Sequence, residues 1–192
     1  SAGQSVTTGT LNTLVGAFAG DALTDADSNV ALGYGTLTSD TLGSRSVAIG
    51  RDALFNQNFT TAQDNYNVAV GYNAGNAITT GLRNTIVGGL AGDSLTDADG
   101  NAVLGYGALS SDTLGSKSTA LGRSALNSQN FSTATDSYNV AVGYSAGNLV
   151  STGTGNTIVG SLAGDAMTTG DNNTFLGFQT AGGGTITGGQ NT

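Results

Sequence analysis

Apolar residues in this chain come in short bursts, each closing on a glycine, and the bursts recur at a fixed period. Ten copies of a five-residue phrase, Asn or Ser followed by three mostly apolar or β-branched residues and Gly, stand at 12–16, 29–33, 46–50, 67–71, 84–88, 101–105, 118–122, 139–143, 156–160 and 173–177. The intervals between units follow a 17/17/21/17 pattern, the two long ones running from Gly50 to Gly71 and from Gly122 to Gly143. Runs of two or three β-branched residues are too short for a helix face and favour extended backbone, while Gly permits a tight turn or a close backbone approach. Each unit therefore predicts one coil of a parallel β-solenoid. The phrase is its first strand, and a short Ala-Gly or Ala-Leu run (Ala19-Gly20, Ala53-Leu54, Ala74-Gly75, Ala125-Leu126) is its second.

The spacing itself repeats, so four coils make a superrepeat, the first spanning 12–83 and the second 84–155. The two align without a gap at roughly two-thirds identity. A third copy opens at 156–192, and 4–11 matches the end of a preceding one. The whole of 1–192 reads as a single repeat array of about ten coils, with Asn191-Thr192 opening another phrase, and as a window onto a longer array. The polar linkers hold isolated apolar residues (Leu23, Leu42, Ile78, Leu95, Leu114, Val150) expected to point inward. The two longer linkers, 55–66 and 127–138, are expected to protrude. Asn at the first position can stack in an amide ladder, interrupted at Ser46 and Ser118.

Alternation along a strand assigns the faces. The fourth position is always aliphatic (Val15, Leu32, Ile49, Val70, Val87, Leu104, Leu121, Val142, Val159, Leu176) and is expected inside the coil. The third, also always apolar, should then face outward: Leu14, Ala31, Ala48, Ala69, Ile86, Val103, Ala120, Ala141, Ile158 and Phe175. A solvent-facing stripe of that length predicts burial between identical parallel chains, and these ten residues are the expected inter-chain interface.

Composition narrows the function. The chain has no His, Cys, Trp, Pro or Glu, 32 Gly, a net charge of −8 and only 9% charged residues. Without an imidazole or thiol, nucleophilic triads and zinc sites have no components, so no enzymatic activity, metal or cofactor is expected. Net negative charge disfavours nucleic acid, and no apolar run is long enough for membrane insertion. Asp25, Asp27 and Asn29, like Asp97, Asp99 and Asn101, alternate as the opening ligands of a calcium loop do. Thr36 and Ala108 stand where its bidentate acid belongs, so turn roles are expected instead. Tyr34, Arg51, Tyr72, Tyr106, Arg123 and Tyr144 follow the repeat glycine. They form candidate surface-contact rows for a glycan or protein receptor, although duplicated sequence alone also produces such rows. A threonine ladder suited to ice is broken, the second position of the first superrepeat running Thr13, Val30, Val47, Val68.

The phrases Ser46-Val-Ala-Ile-Gly50, Asn67-Val-Ala-Val-Gly71 and Asn139-Val-Ala-Val-Gly143 resemble the head repeat of YadA-type trimeric autotransporter adhesins. The longer Asn156-Thr-Ile-Val-Gly-Ser-Leu-Ala-Gly164 and Asn173-Thr-Phe-Leu-Gly-Phe-Gln-Thr-Ala181 resemble the YadA-like repeats of phage tail fibres. The resemblance implies an all-β, left-handed parallel β-roll assembled as a homotrimer. It further implies an extracellular location, on a virion tail fibre or a bacterial cell surface. Both the short and the long coils exceed the usual head repeat, and these long turns favour the phage fibre. The expected function is a structural and adhesive fibre segment used in host attachment, with a bacterial surface adhesin or secreted filament as the alternative.

Overall fold

The structure is a computed structural model that describes residues 1–183 and 186–191; Thr192 lies outside the described residues. The chain is all-β, a parallel solenoid of about ten coils with no helix among the described residues. One strand per coil builds a ten-stranded sheet. The strands are Thr13–Val15, Val30–Leu32, Val47–Ile49, Val68–Val70, Thr85–Val87, Ala102–Leu104, Thr119–Leu121, Val140–Val142, Thr157–Val159 and Thr174–Leu176. Every neighbouring pair is parallel and in register, as in Leu14 with Ala31 and Val15 with Leu32. At the usual inter-strand spacing of about 4.8 Å, the stack is about 48 Å long.

Among the described residues the Ala-Gly and Ala-Leu runs expected as second strands form none. The runs Ala19-Gly20 and Ala53-Leu54 are stacked turns, because the residue after the alanine sits in the left-handed region: Gly20 φ 55°, Leu54 φ 50°. The inter-coil ladder nevertheless passes through them, with Gly20 N–H donating to Thr36 O at 2.8 Å and Leu54 N–H to Ala74 O at 3.1 Å. Two-residue strands occur where a longer coil follows, Gly43–Ser44 with Gln63–Asp64 and Gly115–Ser116 with Thr135–Asp136.

The two faces of the main sheet are the reverse of the sequence expectation. Ala31, Ala48, Ala69, Ile86, Val103, Ala120, Ala141, Ile158 and Phe175 are buried inside the coil, and Leu14 packs partly buried against the same core. The fourth position points out, with Val15 53%, Leu32 45% and Leu104 54% exposed. The third-position residues therefore line the solenoid core and cannot form an interface between chains. The reason is volume. The phrase strand faces the alanine column (Ala19, Ala53, Ala74, Ala91) across a thin interior, which accepts Ala or one larger chain, whereas the uniformly large fourth position would overfill it.

Within that interior most coils pair one larger residue with one smaller across two columns, although Ala69 with Gly75 and Ala141 with Gly147 are small at both. Where the third position is large, as at Leu14, Ile86 and Ile158, the ninth is Gly20, Gly92 or Gly164; where it is Ala31 or Ala48, the ninth is Leu37 or Leu54. A Cβ on Gly20 would lie 2.9 Å from Leu14 Cδ2. Leu23, Ile78, Leu95 and Val150 are fully buried as expected, each contributing about 1.5–3 kcal/mol of apolar burial, whereas Leu42 and Leu114 are only partly buried.

In coils two and six the place of Leu23 is taken by buried Asp40 and Asp112. Asp40 Oδ1 accepts from Gly43 N–H at 3.1 Å and Phe59 N–H at 3.0 Å, and Oδ2 accepts from Gln57 Nε2 at 2.6 Å. The longer linkers do not simply protrude. Gln57 and Gln129 are fully buried, Phe59 and Phe131 nearly so, and only stretches such as Thr60 to Ala62 stand in solvent.

The asparagine ladder forms. Asn84 N–H donates to Asn67 Oδ1 at 2.9 Å and Asn101 N–H to Asn84 Oδ1 at 3.0 Å. Each Asn Nδ2 also clamps its own coil, as Asn67 does to Gly81 O at 2.7 Å. At Ser46 the ladder breaks, and the long linker repairs it. Gln57 Nε2 donates to Ser46 Oγ at 3.1 Å while its Oε1 accepts from Asn67 Nδ2 at 2.9 Å.

Candidate functional site

The repeat glycine turns the chain out of the sheet, and the next residue stands on the adjoining edge. Coil stacking brings the aromatic and guanidinium groups at that place together in two triads. The Arg51 guanidinium carbon lies 5.6 Å from the Tyr34 ring centroid and 6.0 Å from that of Tyr72. Arg123 lies 6.0 Å from Tyr106 and 5.8 Å from Tyr144. All four rings are about half exposed, so cation–π contacts hold the guanidinium between two faces that remain open to a ligand. Phe18 extends the first row, edge-on to Tyr34 at 5.6 Å.

Around the first triad a shallow cleft of about 390 Å³ is lined by Tyr34, Arg51, Asp52, Phe55, Asn56, Tyr72, Asn73 and Asn76. Arg51 Nε donates to Asp52 Oδ2 at 3.0 Å. Asn56 Nδ2 donates to Asn76 O at 3.0 Å and Asn76 Nδ2 to Asp52 O at 3.1 Å, which fixes the amide floor. Aromatic faces flanking amides and one charge suit a polar ligand with an apolar face. Sequence reading found the six Tyr and Arg positions but missed the floor. Asp52 and Asn73 sit at a left-handed corner (φ 57° and 54°), one residue beyond the row, a register visible only when the short and long coils are aligned.

Two further clusters were also missed. Arg45 Nη1 donates to Asp64 Oδ2 and to Tyr66 Oη, both at 2.7 Å, with its guanidinium 5.7 Å from the Tyr66 ring. Lys117, Asp136 and Tyr138 repeat that arrangement one superrepeat on. The Tyr66 hydroxyl, and after it the Asp64 charge, raise the Arg45 pKa above its usual value. Hydrogen bonding to Lys117 holds the Asp136 carboxyl below the usual range. These half-exposed pairs sit at the roots of the long linkers.

The calcium-loop aspartates tie neighbouring coils together. Asp27 Oδ1 accepts from Thr10 N–H at 2.6 Å and from Thr10 Oγ1 at 2.8 Å, which lowers its pKa. Asp97 accepts from Thr79 Oγ1 at 2.8 Å and from Thr80, and Asp99 from Leu82 N–H at 2.7 Å. Among the described residues no three potential metal-ligating side chains gather at one point. Among the described residues no helix is long and apolar enough to cross a membrane.

The third surface feature is the outward sheet face. Its second column reads Thr13, Val30, Val47, Val68, Thr85, Ala102, Thr119, Val140, Thr157 and Thr174, beside the aliphatic fourth column, with no charged residue at either position in ten coils. No protein-family model, no curated protein and no solved structure matches the chain.

Proposed function

We propose that this chain is a rigid, non-catalytic segment of an extracellular trimeric fibre, a left-handed β-roll that spaces and contributes to host attachment, as in a phage tail fibre. The observation that carries the reading is the uncharged apolar face running the length of the ten-stranded sheet. Soluble monomers seldom leave an apolar patch of that extent in water. The occupant is a further copy of the same chain. Copies carrying −8 each repel one another unless they meet on an uncharged surface, and the sheet face is uncharged throughout. A stripe that runs in register through every coil also lets parallel copies meet along its whole length about one axis.

In this role the Tyr–Arg–Tyr triads repeat along each copy and around the fibre, so individually weak receptor contacts add through avidity. Light scattering tests the assembly. A mass three times the 18.8 kDa of the chain is expected, and a monodisperse monomer at micromolar concentration would overturn the reading.

A further inference from the structure

The two triads are themselves duplicates, but their surroundings differ: Asp52, Phe55, Asn56 and Asn73 beside the first stand where the second has Ser124, Asn127, Ser128 and Ser145, and only the first of these exchanges changes charge. In the first, Asp52 already pairs with Arg51. One superrepeat on, Ser124 occupies the place of Asp52 with the same backbone, φ 56° against 57°. Among the described residues no carboxylate lies within salt-bridge distance of Arg123. Arg123 is one of only five basic residues in a chain of net charge −8, yet it is the one held between two half-exposed rings without a counter-ion. Arg123 is exposed, and the two ring contacts limit the orientations of its guanidinium, which lowers the entropic cost of using it as a donor. A planar fork of that kind matches a carboxylate bidentately.

We propose that the exposed Tyr106–Arg123–Tyr144 triad binds an acidic saccharide, with the sugar carboxylate on Arg123 and the apolar face of its ring on a tyrosine. The Tyr34–Arg51–Tyr72 cleft, whose charge is met by Asp52, lacks that preference. The inference rests on the attachment role proposed above and names the ligand class of that surface.

The test is calorimetric titration of the full chain with trigalacturonate and with its fully methyl-esterified, uncharged form. The acid is expected to bind about tenfold tighter than the ester. Arg123→Gln should remove that preference. Ser124→Asp, which installs the counter-ion of the first cleft at a left-handed position that Asp tolerates, should weaken acid binding about three- to fivefold. Asp52→Ser should add a second acid-binding site per chain. Equal affinity for acid and ester, no response to Ser124→Asp, or no binding of either sugar would each overturn the proposal. Light scattering on the same samples separates the readings: a trimer without sugar binding removes only the ligand, whereas a monomer removes the fibre.

Discussion

The position of a Cβ on Gly88 lies 2.5 Å from the carbonyl oxygen of Gly105 in the next coil, and Gly88 itself has φ 138°. The same relation recurs from Gly71 to Gly88 and from Gly105 to Gly122, so the repeat glycine is where successive backbones touch. Gly88→Ala adds both a clash with rigid backbone and a disfavoured φ, and is expected to destabilise by about 2–4 kcal/mol in denaturant unfolding. Its neighbour supplies the control. A Cβ on Gly89 would meet nothing nearer than the Tyr106 ring edge at 3.6 Å, and Ala17 holds the equivalent place in coil one. Gly89→Ala should therefore be neutral or stabilising by about 0.5 kcal/mol, through a less flexible unfolded chain.

The residue before each phrase is left-handed in coil after coil: Ser28 φ 59°, Arg45 φ 63°, Arg83 φ 58°, Gly100 φ 66°, Lys117 φ 62° and Gly155 φ 68°. A non-glycine residue costs about 1 kcal/mol or more there. Glycine already occurs at the site matching Arg83, namely Gly155. Arg83→Gly is expected to raise stability by about 0.5–1 kcal/mol in the same assay, while Gly155→Val should lower it by a similar amount or more.

Asp40 and Gln57 anchor the long linker from inside. Asp40→Ala leaves the N–H groups of Gly43 and Phe59 and one Gln57 proton buried without partners, and should cost about 2–4 kcal/mol. Faster hydrogen exchange in 55–66 would locate the loss. Exchange that accelerated uniformly along the chain would contradict an anchoring role confined to this linker.

Asp93 provides a test in pH. Partial burial raises its pKa, and its Oδ1 has no hydrogen-bond partner. A carboxyl whose folded pKa is raised costs stability once pH climbs through that pKa, and costs nothing below the unfolded value. Asn76 and Asn148 hold the same place in coils four and eight, so Asn fits. Asp93→Asn should therefore stabilise by well under about 1 kcal/mol at pH 7, with the gain vanishing below about pH 3.5. A gain that persisted in acid would show that the charge is not its source.

The regular recurrence of the glycine-closed phrase made the solenoid, the coil count and the amide ladder legible in the sequence. The sheet faces were not. Both the third and fourth positions are apolar throughout, so alternation cannot rank them, and only the narrow interior between Ala48 and Ala53 decides that the smaller column goes in. The linkers misled for a related reason. Gln57 reads as solvent-facing polar sequence, yet it replaces the missing amide at Ser46, a relation between distant positions that no local pattern carries. The Tyr and Arg rows were readable because the duplication repeats them; their amide floor lies at left-handed corners that sequence periodicity does not mark.

The outward fourth column is the centre of the account, and the chain has no cysteine of its own to confuse its test. Val87→Cys and Ile86→Cys, adjacent in one strand but on opposite faces, are each purified and mildly oxidised at micromolar concentration. The account predicts chain-to-chain disulfides from Val87→Cys, whose side chain lies on the outward sheet face, and none from Ile86→Cys, sealed in the coil. Cross-linking through position 86 with none through 87, or through neither in a sample that scatters as a monomer, would contradict it.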